Sequence, residues 1–268
     1  MNLAIKDVRY NGFQQYCSLI NETSINFFRN NNYFKSIVEN VNFNYGQQYY
    51  NLILKNYSEY LDKISWDNIE KLSNIGLPKN NLQYTFNNKK IQVTPTILRY
   101  ILFTFNILNH IKNKTDIKQL NIVEIGGGFA FQAVLLYKFS HLFDLEVLNY
   151  TVIDLEEVSN LQNLFIEKCN EIDNNSFKNF KSIAYENFTN KKTYNFAISN
   201  YALGELNTYW QNTYINNIIS KIDHGYFCWN FSPANPDIHS YFTSKDIIKE
   251  EENPQTNCPP VKSYILRY

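Results

Sequence analysis

Residues 121–130 read Asn-Ile-Val-Glu-Ile-Gly-Gly-Gly-Phe-Ala, and no other stretch limits the fold as much. An apolar run carries an acid, Glu124, and stops at Gly126, Gly127 and Gly128 before a helix-forming segment begins. Glycine reaches φ > 0 without a Cβ clash and lets the backbone approach a ligand closely. A strand that turns through glycines into a helix aims free N–H groups at whatever binds there. The spacing predicts an α/β sheet with a nucleotide-like ligand at its carboxyl end. Taken alone, the triplet also reads as a glycine turn with no ligand.

Two cofactor classes use such a turn. A dinucleotide fingerprint needs Gly-x-Gly-x-x-Gly or Ala, with an acid about 20 residues on. Gly126 and Gly128 fill its first two places, but Phe131 stands at the third and is too bulky for close helix–strand packing. The pattern acid-x-Gly-x-Gly-x-Gly resembles the first motif of class I S-adenosylmethionine (SAM) methyltransferases. Glu124, Gly126 and Gly128 match it, and Ala130 replaces the last glycine. The resemblance implies an acid at the end of the second strand, holding the ribose hydroxyls. Tyr150-Thr151-Val152-Ile153-Asp154 is such a strand, with Asp154 its terminal acid. A carboxylate there accepts both ribose O–H groups, which a neutral residue does less well.

Residues 1–118 read as mainly helical, with segments at 12–29, 33–41, 46–63 and 66–74. Gly76 and Pro78 end the last of these, as a C-terminal glycine and a following proline should. Residues 79–93 read as irregular, with a short hairpin around Asn87-Asn88. Thr94-Pro95 then starts a strong helix, threonine as N-cap and proline at the first helical position. From residue 121 the pattern alternates. Strands are expected at 121–125, 147–153, 181–185, 194–199, 225–230 and 262–267, and helices at 130–142, 157–171, 204–220 and 244–250. Such alternation predicts a parallel sheet with crossover helices. The chain therefore reads as α/β: a helical cap over 1–118 and a Rossmann-like SAM-binding domain over 119–268.

Charge and composition exclude several functions. Net charge is zero, the pI is near 6.9 and no long basic run occurs, so no nucleic-acid surface is expected. The most apolar stretch, 97–108, is broken by Arg99 and Asn106 and is too short to span a bilayer. The first seven residues do not form a secretory signal. Cys17, Cys169, Cys228 and Cys258 lie far apart, with no metal-type spacing and no disulfide frame. A cytoplasmic chain is the expectation; a homodimer is compatible with the sequence but not specified by it.

Further blocks resemble the sugar O-methyltransferase branch of that superfamily. They are Thr94-Pro95-Thr96-Ile97-Leu98-Arg99-Tyr100, the glycine motif through Gln132, and Tyr150 to Val158. Ser199-Asn200-Tyr201-Ala202-Leu203-Gly204-Glu205-Leu206 and Glu251-Glu252-Asn253-Pro254 complete the set. Together they cover 92–268 discontinuously, while 1–90 resembles nothing definite. The class I fold usually has seven strands, and six are legible here. The resemblance implies a small sugar or nucleotide-sugar acceptor.

Ligands of open α/β sheets bind beyond the carboxyl ends of the strands. That rule gathers Gly126, Gly127, Gly128, Asp154, Glu186 and Asn200 around one crevice. The family reading sets the glycines against the methionine part of SAM and Asp154 against the ribose. It places Leu155 and the Tyr185, Glu186, Asn187 turn beside the adenine, with Glu124 and Gln132 completing the cofactor set. A sugar hydroxyl is a weak nucleophile, so a general base is expected to add about 10²–10⁴ in rate. Glu205 and His239 are the candidates. Glu205 is expected to open the helix at 204–220, where it could equally complement the positive helix end. His239, with Asp237 nearby, could equally be a surface loop residue. Arg99, Tyr100, Tyr201 and Asp237 are candidate acceptor contacts. Arg99 suits a phosphate or carboxylate of the substrate, or an internal carboxylate. Asp237, His239, Glu251 and Glu252 could ligate a divalent ion, but no spacing compels it and no metal is expected. Other readings stay open: another small-molecule or peptide acceptor, or a scaffold of this fold without catalysis.

Overall fold

The computed structural model describes residues 8–189, 193–231, 246–256 and 261–268. Four helices come first: α1 Val8–Cys17, α2 Asn32–Ile37, α3 Phe43–Leu61 and α4 Trp66–Ser73. A hairpin follows, β1 Leu82–Phe86 and β2 Lys89–Val93. Asn87 and Asn88 make its turn at φ 45° and 66°, the left-handed pair that matches strand twist. Helix α5, Pro95–Lys114, starts where Thr94-Pro95 predicts, although the Thr94 side chain makes no cap hydrogen bond. It is buried along most of its length and packs on α3 and on α6, Phe131–Phe139.

The remaining strands form one sheet: β3 Gln119–Ile125, β4 Glu146–Asp154, β5 Phe180–Ala184, β6 Phe196–Asn200, β7 Gly225–Phe231, β8 Ile248–Glu251 and β9 Lys262–Arg267. Their spatial order is β5-β4-β3-β6-β7-β9-β8. β9 alone runs opposite to the other six strands, antiparallel to both β7 and β8. This is a doubly wound, mainly parallel sheet with helices on its faces, helix α7, Glu156–Ile172, crossing between β4 and β5. Order reverses between β3 and β6, so the ends of β3, β4 and β6 open a crevice.

Three expectations change. The seventh strand is β8, where a helix was expected over 244–250. Lys and Glu favour helix weakly, but pairing with β9 and ion pairs from Lys262 to Glu251 and Arg267 to Glu250 hold this edge extended. The helix expected at 204–220 breaks into α8, Ala202–Glu205, and α9, Thr208–Asn217. Asn207 breaks it by capping α9, accepting from Trp210 N at 3.0 Å. The segment 12–29 holds α1 and two 3₁₀ turns in place of one helix.

Aromatic rings join the cap to the glycine turn. Phe28 meets Phe34 at 4.9 Å between ring centroids, and Phe129 meets Phe165 at 5.0 Å. Phe129 also contacts both Phe28 and Phe34. Arg29, fully buried and ion-paired with Glu39, lies 4.7 Å over the Phe129 ring. The cap thus fixes the residue that follows Gly128.

Candidate functional site

A cavity of about 250 Å³ opens at the carboxyl ends of β3, β4 and β6. The sheet side supplies Glu124, the glycine turn, Asp154, Asn200, Tyr201 and Glu205. The cap side supplies Tyr10, Asn40, Tyr45, Arg99 and Tyr100. A second compartment of about 100 Å³ adjoins it through Gly126, Asp154 and Glu205, and reaches Leu155 and Tyr214. Together they fall in the ~300–1,000 Å³ range of small-molecule sites.

The turn is held by its neighbours. Gly126 and Gly128 take φ of 73° and 58°. The Ala202 methyl and the Tyr100 hydroxyl stand where their side chains would be. Ala130 takes the left-handed φ of 68° at the position two residues beyond Gly128. Gly127 N donates to Asp154 Oδ2 at 3.0 Å, and Gln162 Nε2 donates to the same oxygen at 2.9 Å. Gln162 also donates to Gly128 O at 3.0 Å, so one α7 side chain locks turn and acid together. Asp154 Oδ1 accepts from Leu155 N at 2.9 Å. That leaves it capacity for another donor. Burial pushes the Asp154 carboxyl up to about 6, with these donors opposing the shift.

Glu124 is buried and accepts from the Tyr150 hydroxyl at 2.8 Å. Burial pushes it up to about 8, Tyr150 pulls it down and the Asp154 charge adds to the rise. Among the described residues it has no cationic partner. Asn200 donates to Gln132 Oε1 at 3.3 Å, while its own buried Oδ1 has no partner among the described residues. Tyr201 is a bulky residue at φ 71°, a costly conformation typical of constrained sites. Its hydroxyl donates to Glu252, and its ring lies 5.1 Å from the Arg99 guanidinium carbon. Arg99 Nη1 donates to Asn40 Oδ1 at 3.2 Å.

Glu205 lines both compartments. It closes the four-residue α8, lying within that helix's single turn, and does not open a long helix. Its carboxylate accepts from Tyr10 of α1 and, at 3.1 Å, from Asn230 Nδ2.

Most expected site residues meet here, but some do not. Gln132 is fully buried outside both linings; it donates to Thr104 Oγ1 at 2.6 Å and orients Asn200. Glu186 and Asn187 form a turn beyond β5 and line neither compartment. Tyr214 stands there instead, with Tyr185 against it at 5.1 Å. Asp237 and His239 lie outside the described residues. Sequence reasoning passed over Tyr10, Asn40, Gln162 and Tyr214 as site residues, and noted Glu252 only as a possible ligand. Among the described residues no cluster suits a metal, and no helix is long and apolar enough to cross a membrane.

No protein-family model and no curated protein sequence matches the chain. Solved structures match at low identity. Magnesium protoporphyrin IX methyltransferase from Synechocystis PCC 6803, with bound SAM, is 13% identical at a TM-score of 0.45, covering 82% of this chain and 95% of its own. An N-methyltransferase from Bradyrhizobium japonicum, with S-adenosylhomocysteine (SAH), is 14% identical at 0.42, covering 64% and 85%. A SAM-dependent methyltransferase from Aquifex aeolicus is 14% identical at 0.39, covering 61% and 88%. With TM-scores below 0.5, these likenesses carry no weight for the chemistry of this chain.

Proposed function

We propose that this chain is a SAM-dependent methyltransferase acting on a hydroxyl of a sugar, either nucleotide-linked or part of a glycan precursor. The observation that carries the cofactor reading is one cavity lined by the Gly126–Gly128 turn, Glu124 and Asp154, at the ends of adjacent strands β3 and β4. The donor set suits SAM. Glu124 is a buried carboxyl group that burial keeps protonated toward pH 8 and that lacks a cation among the described residues, and SAM brings an ammonium and a sulfonium that would favour its charged form. Asp154 Oδ1 has capacity for a ribose hydroxyl. Leu155 and Tyr214 give the smaller compartment the apolar walls an adenine needs. When bound, SAM would supply an electrophilic methyl group.

The chain supplies position and a base. Glu205 would take the acceptor proton at its carboxylate, held in place by Tyr10 and Asn230. Holding acceptor and cofactor in line can lower the barrier by ~7–11 kcal/mol. The cap, with Tyr100 at the cavity wall, would close over the acceptor and exclude water, with Tyr201 facing it from the sheet side. Sugar as the acceptor class rests on the resemblance of the Leu98-Arg99-Tyr100 and Ser199–Leu206 blocks.

Calorimetric titration with SAM and SAH, with NAD as control, tests the cofactor. Micromolar binding that Asp154→Ala weakens tenfold or more supports it; equal binding by Asp154→Ala, or none by the native chain, sinks it. Methyl transfer from labelled SAM to a panel of nucleotide sugars then tests the acceptor.

A further inference from the structure

Arg99 is the one cation lining the larger cavity among the described residues, against three carboxylates, Glu124, Asp154 and Glu205. It is only 8% exposed. Among the described residues its side chain makes one hydrogen bond, to Asn40, and lies over the Tyr201 ring. A guanidinium has five N–H donors in a fixed fork, so most of these donors have no acceptor among the described residues. A buried charge left unpaired is costly. The carboxylate that acts on it electrostatically, Glu252, forms no ion pair with it. Glu252 is occupied by the Tyr201 hydroxyl, by Tyr49 at 3.3 Å and by Thr256 Oγ1 at 2.9 Å.

Place matters as much as charge. Arg99 stacks on Tyr201, which follows the last residue of β6, whereas Asp154 ends β4 on the far side of β3. Two strand spacings of ~4.8 Å separate these ends. The carboxylates Glu124 and Asp154 lie on the β3–β4 side, and the lone guanidinium on the β6 side. A cationic cofactor matches the first and leaves the second for another molecule.

We propose that Arg99 binds an oxyanion of the acceptor, a carboxylate or a phosphate, and so restricts this site to anionic acceptors. The planar fork takes either group bidentately, and Asn40 sets the plane of the fork from the cap. This inference rests on the methyl-transfer reading for the word acceptor, but the anion site itself can be tested without it.

The test is thermal melting of the full chain at constant ionic strength, with sodium chloride replaced stepwise by inorganic phosphate or by acetate. At tenfold excess over Kd one of them should raise Tm by roughly 2–4 °C, saturably. A response to phosphate assigns a phosphorylated acceptor, and a response to acetate assigns a carboxylated one. Arg99→Gln should abolish the response. Asn40→Asp should abolish it too, by giving the guanidinium an internal carboxylate while leaving Arg99 in place, and it decides the matter if Arg99→Gln does not fold. No saturable response in the native chain, or a response that survives in the variants, overturns the proposal. SAH affinity in both variants should stay within about threefold. Its loss in both would also overturn the proposal, because the guanidinium would then be holding the cofactor's own carboxylate. Failure of the native chain to bind SAH would defeat the methyltransferase reading alone, since the anion melts still report on Arg99.

Discussion

A Cβ on Gly126 would stand 2.1 Å from the Cβ of Ala202, the first residue of α8. The glycine turn and the end of β6 are therefore in contact before any ligand arrives. Gly126→Ala would add left-handed strain of roughly 1–2 kcal/mol to an overpacking cost of about 1–3 kcal/mol. Urea unfolding should show a loss of ~2–5 kcal/mol. Repeating the substitution in an Ala202→Gly chain should recover the overpacking part and leave the strain. Equal losses in both backgrounds would mean that Ala202 does not limit the turn.

Gln162 should behave as a positioning residue for Asp154. Gln162→Leu keeps the side chain's bulk but removes the donors to Asp154 Oδ2 and Gly128 O, and the acceptor for the Ser182 hydroxyl. Stability should fall by about 1–3 kcal/mol. SAH affinity should fall about tenfold by calorimetry, the lower end of what loss of an orienting partner costs. A Kd within twofold of the native value would show that Asp154 needs no such support.

For Glu205, the expectation concerns rate. Glu205→Gln keeps the side chain's shape and one acceptor oxygen, for either the Tyr10 or the Asn230 donor, and removes the base. Methyl transfer to a responsive acceptor should drop by about 10²–10⁴, with SAH affinity held within about threefold. A variant that transfers at the native rate would remove Glu205 as the base.

What the sequence revealed was local chemistry, and what it hid was distant pairing. Glu124, the glycines and Asp154 were legible because strand, turn and terminal acid are contiguous or one crossover apart. Thr94-Pro95 and Asn87-Asn88 were legible because proline and left-handed asparagines act through their own backbone. Strand β8 was not, because Ile248-Lys249-Glu250-Glu251 has no period-two alternation and no buried residue; pairing with β9 makes it a strand. Tyr10 meets Glu205 across 195 residues, and nothing in either segment announces the other. Gln162 looks like one more polar residue of an amphipathic helix until the fold turns it onto Asp154.

Burial of Glu124 should leave a signature in the pH dependence of stability. Its ordinary value is 4.5, and the fold pushes it up to about 8, chiefly by desolvation. Above pH 4.5 the unfolded chain releases this proton while the folded chain keeps it until about 8. The folded state therefore binds more protons in that window, and stability falls as pH rises, by at most about 1.4 kcal/mol per unit for one group. Asp154 acts in the same sense but only up to about 6. His110, which burial lowers from 6.5 to about 4, acts in the opposite sense below 6.5. Between pH 6.5 and 8 the slope is thus mainly that of Glu124. Glu124→Gln preserves an acceptor for the Tyr150 hydroxyl and removes the titration. Urea unfolding at these two pH values should show a clear decline for the native chain and a nearly flat response for Glu124→Gln. An unchanged decline in the variant would assign the proton elsewhere and would mean that Glu124 is already charged in the folded chain.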